Sequence, residues 1–373
     1  MKKFYIKSDN IAIEKNIVIG TMGKEDNKMP YTVRSSERTR SSGSEYETKA
    51  LLYLMNLRSD SNEIHYFVVD FFNDLTGMDR FAENLWDLQS KGAKNNSPTA
   101  IGKELVTLFK NYLSDLDFRE YILFLGGVSS TVRIDDSLNV FDIKNVTKAA
   151  RGKIKDGLEN EAKNKTYIND SDITEGNINS FLEKVLFVVD NEKPSEYVKA
   201  IIKDHPAIIP EEKILTAIFN EIRNAQSGLK NTVVEGIVIQ ATDEVLRYCR
   251  HLTNNEIRLM ALNRIINRNP VEKNSIPLSF LSIYSSWVPE KQKEILDECV
   301  QTLCKALFNK NAASAFWGLF ENIYSIIVAH PSYTVQEIYQ SIDMTIRNAS
   351  PDFDAVSLKY FIAVVKDGIQ NDN

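Results

Sequence analysis

The stretch IHYFVVDFFNDLTGMDRFAENLWDLQSK, residues 64–91, predicts three consecutive β-strands around which the rest of the chain is organised. The first strand, 64–72, is apolar at both alternating sets of positions, which is typical of a strand covered on both faces. Turn residues separate it from a short second strand, 78–82. We expect a tight turn at Glu83-Asn84 and a third strand over 85–91.

The third strand carries a polar face. Successive side chains alternate between the faces of a sheet, so Asp87, Gln89 and Lys91 share one side. Burying such groups without partners costs roughly 2–7 kcal/mol each, so this face needs a ligand or matching polar groups. We expect Asp79 to lie opposite Gln89 across this hairpin. Asp74 is the rival acid, because a longer second hairpin would bring it opposite Gln89 instead.

A helix that begins near Ser44 precedes the three strands. Ser44 and Glu47 match the capping pattern S-x-x-E. Glu47 also lies at the head of the apolar stripe of this helix, so it is either a capping residue or a carboxylate directed at the sheet. Glu45 differs, because it can pair with Lys49 at i,i+4 and is expected on the surface.

The segments after the three strands predict an α/β layer. A helix after residue 99, a strand over 121–125, a long lysine-rich helix over about 143–164 and a strand over 185–190 follow one another. Helices and strands that alternate in this way are typical of a mixed sheet flanked by helices.

From about residue 195 helical periodicity replaces the strand signals, which predicts an all-α region. We therefore divide the chain into an N-terminal arm (1–40), an α/β domain (41–194) and an all-helical domain (195–373) that is regulatory, oligomerising or partner-binding. The Ser/Arg-rich segment 32–44 is predicted to be a solvated linker rather than an arm that binds a phosphate backbone.

Composition excludes several classes of protein. A net charge of −6 argues against binding a polyanion through bulk charge, so a nucleic-acid surface must be a local patch. The three cysteines lack the spacing of a zinc site, and the chain lacks a phosphate-binding loop of the GxxxxGK[ST] type. No signal peptide is visible, and no apolar run approaches the length that we expect of a membrane span, so we expect a cytoplasmic protein without membrane contact.

The polar face of the third strand suits metal-dependent phosphodiester hydrolysis. Mg²⁺ prefers oxygen ligands and keeps several waters, so one or two carboxylates can hold it. We expect Asp79 to be the main ligand, with Asp74 as its rival, and the Gln89 side-chain oxygen to add a second donor together with the Ser90 carbonyl. Lys91 would orient the attacking water and stabilise developing negative charge.

Glu47, on the covering helix, could add a further carboxylate. An acid some ten residues before Q-x-K is a weak pattern by itself. It is supported by its context, in which a helix with an inward acid precedes the hairpin and a helix and a strand follow it. The competing interpretation is a hairpin with an exposed polar face, where Asp79 and Lys91 form a cross-strand pair.

Three segments, GSEYETKALLYL (43–54), WDLQSK (86–91) and YILFLGG (121–127), together resemble the PD-(D/E)xK nuclease superfamily. They are most similar to the double-stranded-DNA endonuclease domains of bacterial anti-phage defence proteins, as is FLEKVLFVVDNEKPSEYVKAII (181–202). The likeness covers about residues 41–230. It implies a restriction-endonuclease-like α/β fold and DNA cleavage that depends on Mg²⁺ or Mn²⁺.

The same resemblance implies roles for the site residues. Glu47 matches the acid or glutamine of the family's first helix, and Asp79 matches the strand acid, with Asp74 as the rival. Gln89 and Lys91 match the last motif. Gln89 departs from the acidic consensus and removes one negative charge from the metal site, which would weaken metal affinity or alter metal choice.

The helical second half resembles the nuclease subunit of Lamassu-type systems. This implies an effector that acts against phages and plasmids. Partner subunits, an SMC-like ATPase and an accessory subunit, would hold it inactive until foreign DNA is sensed, and self-association into a homo-oligomer would activate it. The alternative is a catalytically inactive DNA-binding or adaptor protein on a nuclease-like fold. A third possibility is a helical interaction scaffold with an incidental α/β unit.

Overall fold

A computed structural model describes residues 30–34, 44–202, 205–271 and 276–370. Most of the predicted arm and linker, including 1–29 and 35–43, therefore lies outside the described residues. The strands within the described residues are β1 (Tyr31–Thr32), β2 (Tyr66–Val69), β3 (Leu75–Met78), β4 (Leu85–Lys91), β5 (Phe118–Leu125), β6 (Val140–Phe141), β7 (Val185–Val189), β8 (Val238–Ile239) and β9 (His251–Thr253).

Helices occupy both halves of the chain. Those in the described residues are α1 (Ser44–Asn56), α2 (Pro98–Glu104), α3 (Val106–Tyr112), α4 (Lys148–Lys163), α5 (Glu175–Leu182), α6 (Pro194–Lys199), α7 (Glu212–Leu229), α8 (Asn254–Ile265), α9 (Leu281–Tyr284), α10 (Pro289–Phe308), α11 (Ala313–Ala329), α12 (Val335–Ser341), α13 (Met344–Asn348) and α14 (Ala355–Gln370). Short 3₁₀ turns connect several of them.

Seven strands form one mixed sheet, in the order β6-β7-β5-β4-β3-β2-β9. The central strands β4, β5 and β7 run parallel, while β3, β2, β9 and β6 pair antiparallel with their neighbours. This arrangement confirms the predicted mixed α/β sheet flanked by helices. β1 and β8 form a separate two-stranded ribbon.

Each face of the sheet has its own apolar core. On one face Leu51 and Leu54 of α1 pack with Trp86 and Leu88 of β4, and this core continues into the C-terminal helices. On the other face, residues of α3, α4 and α5 cover the strands. α2 crosses α4 closely because Gly102 lies against the chain of α4: a Cβ atom there would come within 2.1 Å of the Ile154 carbonyl oxygen.

The C-terminal region is helical, as predicted, but it also contributes strands. β9 joins the edge of the large sheet beside β2, and β8 pairs with β1. Both are too short, at three and two residues, to leave a period-two pattern in the sequence.

Contrary to the expectation from the sequence, segment Lys310–Ala329 is long and apolar enough to cross a membrane by length and composition. In the structure its helix, α11, buries Phe316, Trp317 and Phe320 in the same core as α14. Of the apolar window of this segment, 39% is buried inside the protein.

The predicted register of the central hairpin is wrong. β3 begins at Leu75 and ends at Met78, so the turn into β4 spans six residues instead of two. Leu75 pairs with Leu88 and Met78 with Leu85. Continuing this register places Asp74, not Asp79, opposite Gln89. The tight turn at 83–84 was inferred from residue type alone, whereas side-chain hydrogen bonds stabilise the longer turn that forms.

Candidate functional site

Asp74 lies at the end of β3, next to the polar stretch of β4. A turn that begins at Asp70, whose φ is 51°, positions it, and the Asp70 amide donates to the Asp74 carbonyl at 3.0 Å. The Asp74 carboxylate reaches across to β4, where Oδ2 accepts from the Ser90 amide at 2.9 Å and from the Ser90 hydroxyl at 3.0 Å. The acid that was predicted as the rival therefore contacts the Q-S-K segment directly.

Gln89 lies behind Asp74 and is nearly inaccessible, with 2% of its surface exposed. Its Oε1 atom accepts a hydrogen bond from the Thr107 hydroxyl of α3 at 3.0 Å. Asp74, Gln89 and Thr107 line a cavity of about 30 Å³. A cavity of that size can hold a water molecule or an ion, since one water needs roughly 10–15 Å³ on this measure.

Lys91 ends β4 and remains partly exposed. Its Nζ atom lies 3.3 Å from a carboxylate oxygen of Glu104, the last residue of α2. Glu104 was not predicted as a site residue. It follows β4 by thirteen residues in the sequence, and only the packing of α2 brings it to Lys91.

The Ser90 carbonyl is directed to the same side of β4 as Asp74. The Ser90 amide donates to Asp74, whereas the Lys91 carbonyl accepts from the Gly126 amide on the β5 side at 2.8 Å. Amide and carbonyl groups of one strand residue point the same way, and successive residues alternate. The Ser90 carbonyl therefore faces the region where β3 has already ended.

Asp79 is located at the opposite end of the hairpin. Its Oδ1 accepts from the Glu83 amide at 2.8 Å, and its Oδ2 accepts from the Asn84 side-chain amide at 2.7 Å. Hydrogen bonds from Asn84 and Glu83 lower the pKa of Asp79, although its partial burial acts in the opposite direction. Five strand residues separate Asn84 from Gln89, roughly 17 Å at the usual rise. The structure therefore does not bring Asp79 to Gln89 and Lys91.

Glu47 is engaged by a different partner. Its Oε2 atom lies 2.6 Å from Nζ of Lys230, at the end of α7, and each side chain is only 12% exposed. The start of α1 does lie over the end of β4, since the Tyr46 ring contacts Gly92. Glu45, as predicted, pairs with Lys49 at 3.6 Å and is about half exposed.

A second polar group lies deeper on the same face. Asp87 is fully buried, and its Oδ2 accepts from the Asn111 side-chain amide at 2.7 Å. Lys110 donates to the Tyr31 hydroxyl at 2.7 Å, and that hydroxyl donates to Asn111 Oδ1 at 2.8 Å. Burial raises the pKa of Asp87 to about 7 and lowers that of Lys110 to about 8. Tyr31 therefore anchors β1 to this network.

The donors around the small cavity fit a hard divalent cation. Asp74 offers a carboxylate, Gln89 an amide oxygen and Ser90 a carbonyl oxygen, and oxygen donors of these types are those that Mg²⁺ prefers. Among the residues that the structure describes, no cluster of three or more His, Cys, Asp or Glu side chains could hold a metal. Asp70 also lines the cavity, but its Oδ2 atom lies 2.9 Å from the Arg250 guanidinium. A cation here would therefore rely on the Asp74 carboxylate, neutral oxygens and water.

Comparison with known proteins identifies no relative: no protein-family model, curated protein or solved structure matches the chain.

Proposed function

We propose that the chain is a metal-dependent DNA endonuclease whose active site is at the end of β4. The observation that carries this proposal is that Asp74 and Gln89 line one small cavity at the end of β4, the strand that also ends with Lys91. A carboxylate, an amide oxygen and a lysine that meet at the end of a central strand suit phosphodiester hydrolysis. Asp74 takes the role that was first expected for Asp79.

Asp74, Gln89 Oε1 and the Ser90 carbonyl would hold Mg²⁺ or Mn²⁺. A bound divalent ion supplies charge neutralisation at phosphorus and lowers the pKa of a coordinated water. Lys91 positions the attacking water and stabilises the negative charge that develops on the phosphoryl oxygens. Glu104 holds the Lys91 ammonium in place, because the two groups lie 3.3 Å apart. Glu47, paired with Lys230, stabilises the fold.

The biological context that we propose is antiviral defence. The long helical region shares one apolar core with the α1 side of the sheet, so a partner that binds the helices can act on the nuclease. In this proposal an SMC-like ATPase and an accessory subunit hold the protein inactive in the cytoplasm. Foreign double-stranded DNA releases it, and self-association activates it.

The central experiment measures metal binding and cleavage together. Wild-type protein is titrated with Mg²⁺ and Mn²⁺ by calorimetry, and the same preparations are incubated with supercoiled and linear DNA. We expect metal binding that is lost in Asp74→Asn, and cleavage that requires metal and is lost in Lys91→Ala. The metal titration reports on the site even if cleavage awaits an activating partner.

Lys293→Ala is the matched control for Lys91→Ala, because Lys293 is an exposed lysine on α10. It should leave both measurements unchanged. Cleavage by Lys91→Ala at the wild-type rate, or unchanged metal affinity in Asp74→Asn, would show that the assignment is wrong.

One observation favours a second candidate, a non-enzymatic DNA-binding or adaptor protein on this fold. Within the described ranges the site offers a glutamine in place of an acid and no cluster of three His, Cys, Asp or Glu ligands. Such a protein would bind DNA with an affinity that survives EDTA, Asp74→Asn and Lys91→Ala. Those three measurements separate it from the enzyme.

A further inference from the structure

A larger cavity, of about 400 Å³, lies next to the candidate metal site. Arg34, Lys110 and Tyr167 line both this cavity and the smaller one that contains Asp74 and Gln89. The two spaces are therefore neighbours with a common wall. A volume of 400 Å³ falls within the usual range of small-molecule sites, roughly 300–1,000 Å³.

The common wall is cationic. Arg34 is exposed at this wall. Lys110 donates to the Tyr31 hydroxyl; burial lowers the pKa of Lys110, the charge of Asp87 opposes this, and the charge of Arg34 lowers the pKa slightly more. Two neighbouring cations that repel each other at the wall of a cavity favour an anion between them. Arginine is especially suited to phosphate, because its donors can bind two oxygens at once.

The rest of the cavity is suited to a flat polar group. Tyr31 and Tyr167 contribute aromatic rings, and Leu113 and Ile168 contribute apolar surface. Asn169 and Thr166 add hydrogen-bonding groups along the loop that follows α4. Asp115 and Asp172 also line the cavity with carboxylates, which can accept from the amino groups of a base. A planar heterocycle with polar edges matches this mixture, since aromatic rings stack on bases of any sequence.

We propose that this cavity binds one unpaired nucleotide of a DNA strand, with its phosphate at Arg34 and Lys110 and its base among Tyr31, Tyr167 and Thr166. The proposal rests on the proposed nuclease function for the identity of the strand. The cavity adjoins the metal site, so the bound nucleotide neighbours the scissile phosphate. The preferred substrate is then DNA in which that nucleotide is out of the base stack, as at a flap, a gap or a mismatch.

The test is binding of deoxyadenosine 5′-monophosphate to the whole chain in the presence of EDTA. Wild type is compared with Arg34→Gln, which removes the cation, and with Thr166→Trp, which fills the cavity from an exposed loop position. We expect Arg34→Gln to weaken the affinity by about tenfold or more, because a charge-assisted hydrogen bond is lost. Thr166→Trp should abolish binding while the thermal unfolding midpoint stays unchanged.

Arg80→Gln is the matched control, because Arg80 is an exposed arginine that lines neither cavity. Inorganic phosphate and deoxyadenosine are titrated in parallel, and each should bind more weakly than the nucleotide. Absence of nucleotide binding, equal affinity in all four proteins, or equal affinity for phosphate and nucleotide would overturn the proposal. Because EDTA is present, this result is independent of cleavage, so the nuclease assignment can fail while the nucleotide site stands.

Discussion

The two ends of the β3–β4 hairpin each carry an aspartate, and the two aspartates have different surroundings. Asp79, at the closed end, accepts hydrogen bonds from the turn that it helps to form, from the Glu83 amide and the Asn84 side chain. Asp74, at the open end, contacts the neighbouring strand through Ser90 and lines a cavity with Gln89. The same residue type thus stabilises a turn at one end and faces a polar cavity at the other.

The difference shows what makes a carboxylate available for chemistry. A turn aspartate has its two oxygens assigned by local backbone geometry, which lowers its pKa and leaves little capacity for a ligand. The open end of a hairpin has no further strand partner, so polar groups of β4 must find partners elsewhere. Side chains of α2 and α3 supply some of them, through Glu104 and Thr107.

The largest expected effect distinguishes the two ends directly. Asp74→Ala should lower metal-dependent DNA cleavage by at least about a hundredfold, because it removes the only carboxylate that we assign to the metal. Asp79→Ala should cleave DNA at nearly the wild-type rate. Both are measured on plasmid DNA with equal amounts of folded protein. A reversed result would restore Asp79 as the metal ligand.

The next effect concerns stability and the acid of α1. Glu47→Gln should lower the free energy of unfolding by about 2–3 kcal/mol, because it leaves Lys230 with a buried, unpaired charge. Glu45→Gln is the control, since Glu45 is 45% exposed and its pair with Lys49 should contribute less than about 1 kcal/mol. Urea denaturation measures both. A large loss of cleavage in Glu47→Gln at unchanged stability would instead assign Glu47 to the active site.

The third prediction concerns the buried pair beneath the site. Burial raises the pKa of Asp87 to about 7, so the folded protein binds a proton that the unfolded chain releases near pH 4. The contribution of Asp87 to the free energy of unfolding is therefore complete below pH 4 and is lost as the pH rises to 7. Relative to Asp87→Asn, wild type should lose about 3 kcal/mol of unfolding free energy between these values.

Lys110 has the opposite effect at higher pH. Its pKa is about 8 in the folded protein and has its ordinary, higher value in the unfolded chain, so the free energy of unfolding rises with pH between these two values. Thermal unfolding of wild type and Asp87→Asn at intervals from pH 4 to 7 isolates the carboxylate. If the stability of the two proteins changed with pH in the same way over this interval, Asp87 would be ionised in the folded protein.

The smallest effect returns to the closed end of the hairpin. Asp79→Ala should lower the free energy of unfolding by about 1 kcal/mol, because two hydrogen bonds at a partly exposed turn are lost. Asp79→Asn keeps acceptor capacity at Oδ1 and should lose less. Urea denaturation of both proteins tests this order, and equal stability of wild type and Asp79→Ala would remove the turn role assigned to Asp79.

The sequence by itself determined the helices and strands whose apolar residues recur with a clear helical or strand periodicity, or form a continuous apolar run. The apolar run before residue 70, the strands that became β5 and β7, and the helix that starts at Ser44 were all predicted close to their observed positions. The polar face with Gln89 and Lys91 was also visible, because alternation along a strand is a property of the chain itself. The helical second half followed from periodicity in the same way.

Only the tertiary structure decided the partners of those residues. The β3–β4 turn differs from the predicted one, so Asp74 and not Asp79 lies opposite Gln89. The register depends on which residues close the turn and not on the pattern of either strand. The contact of Glu104 with Lys91 and the ion pair of Glu47 with Lys230 depend on helix packing. Distances between side chains remote in sequence follow from the packing of whole elements, which local periodicity does not encode.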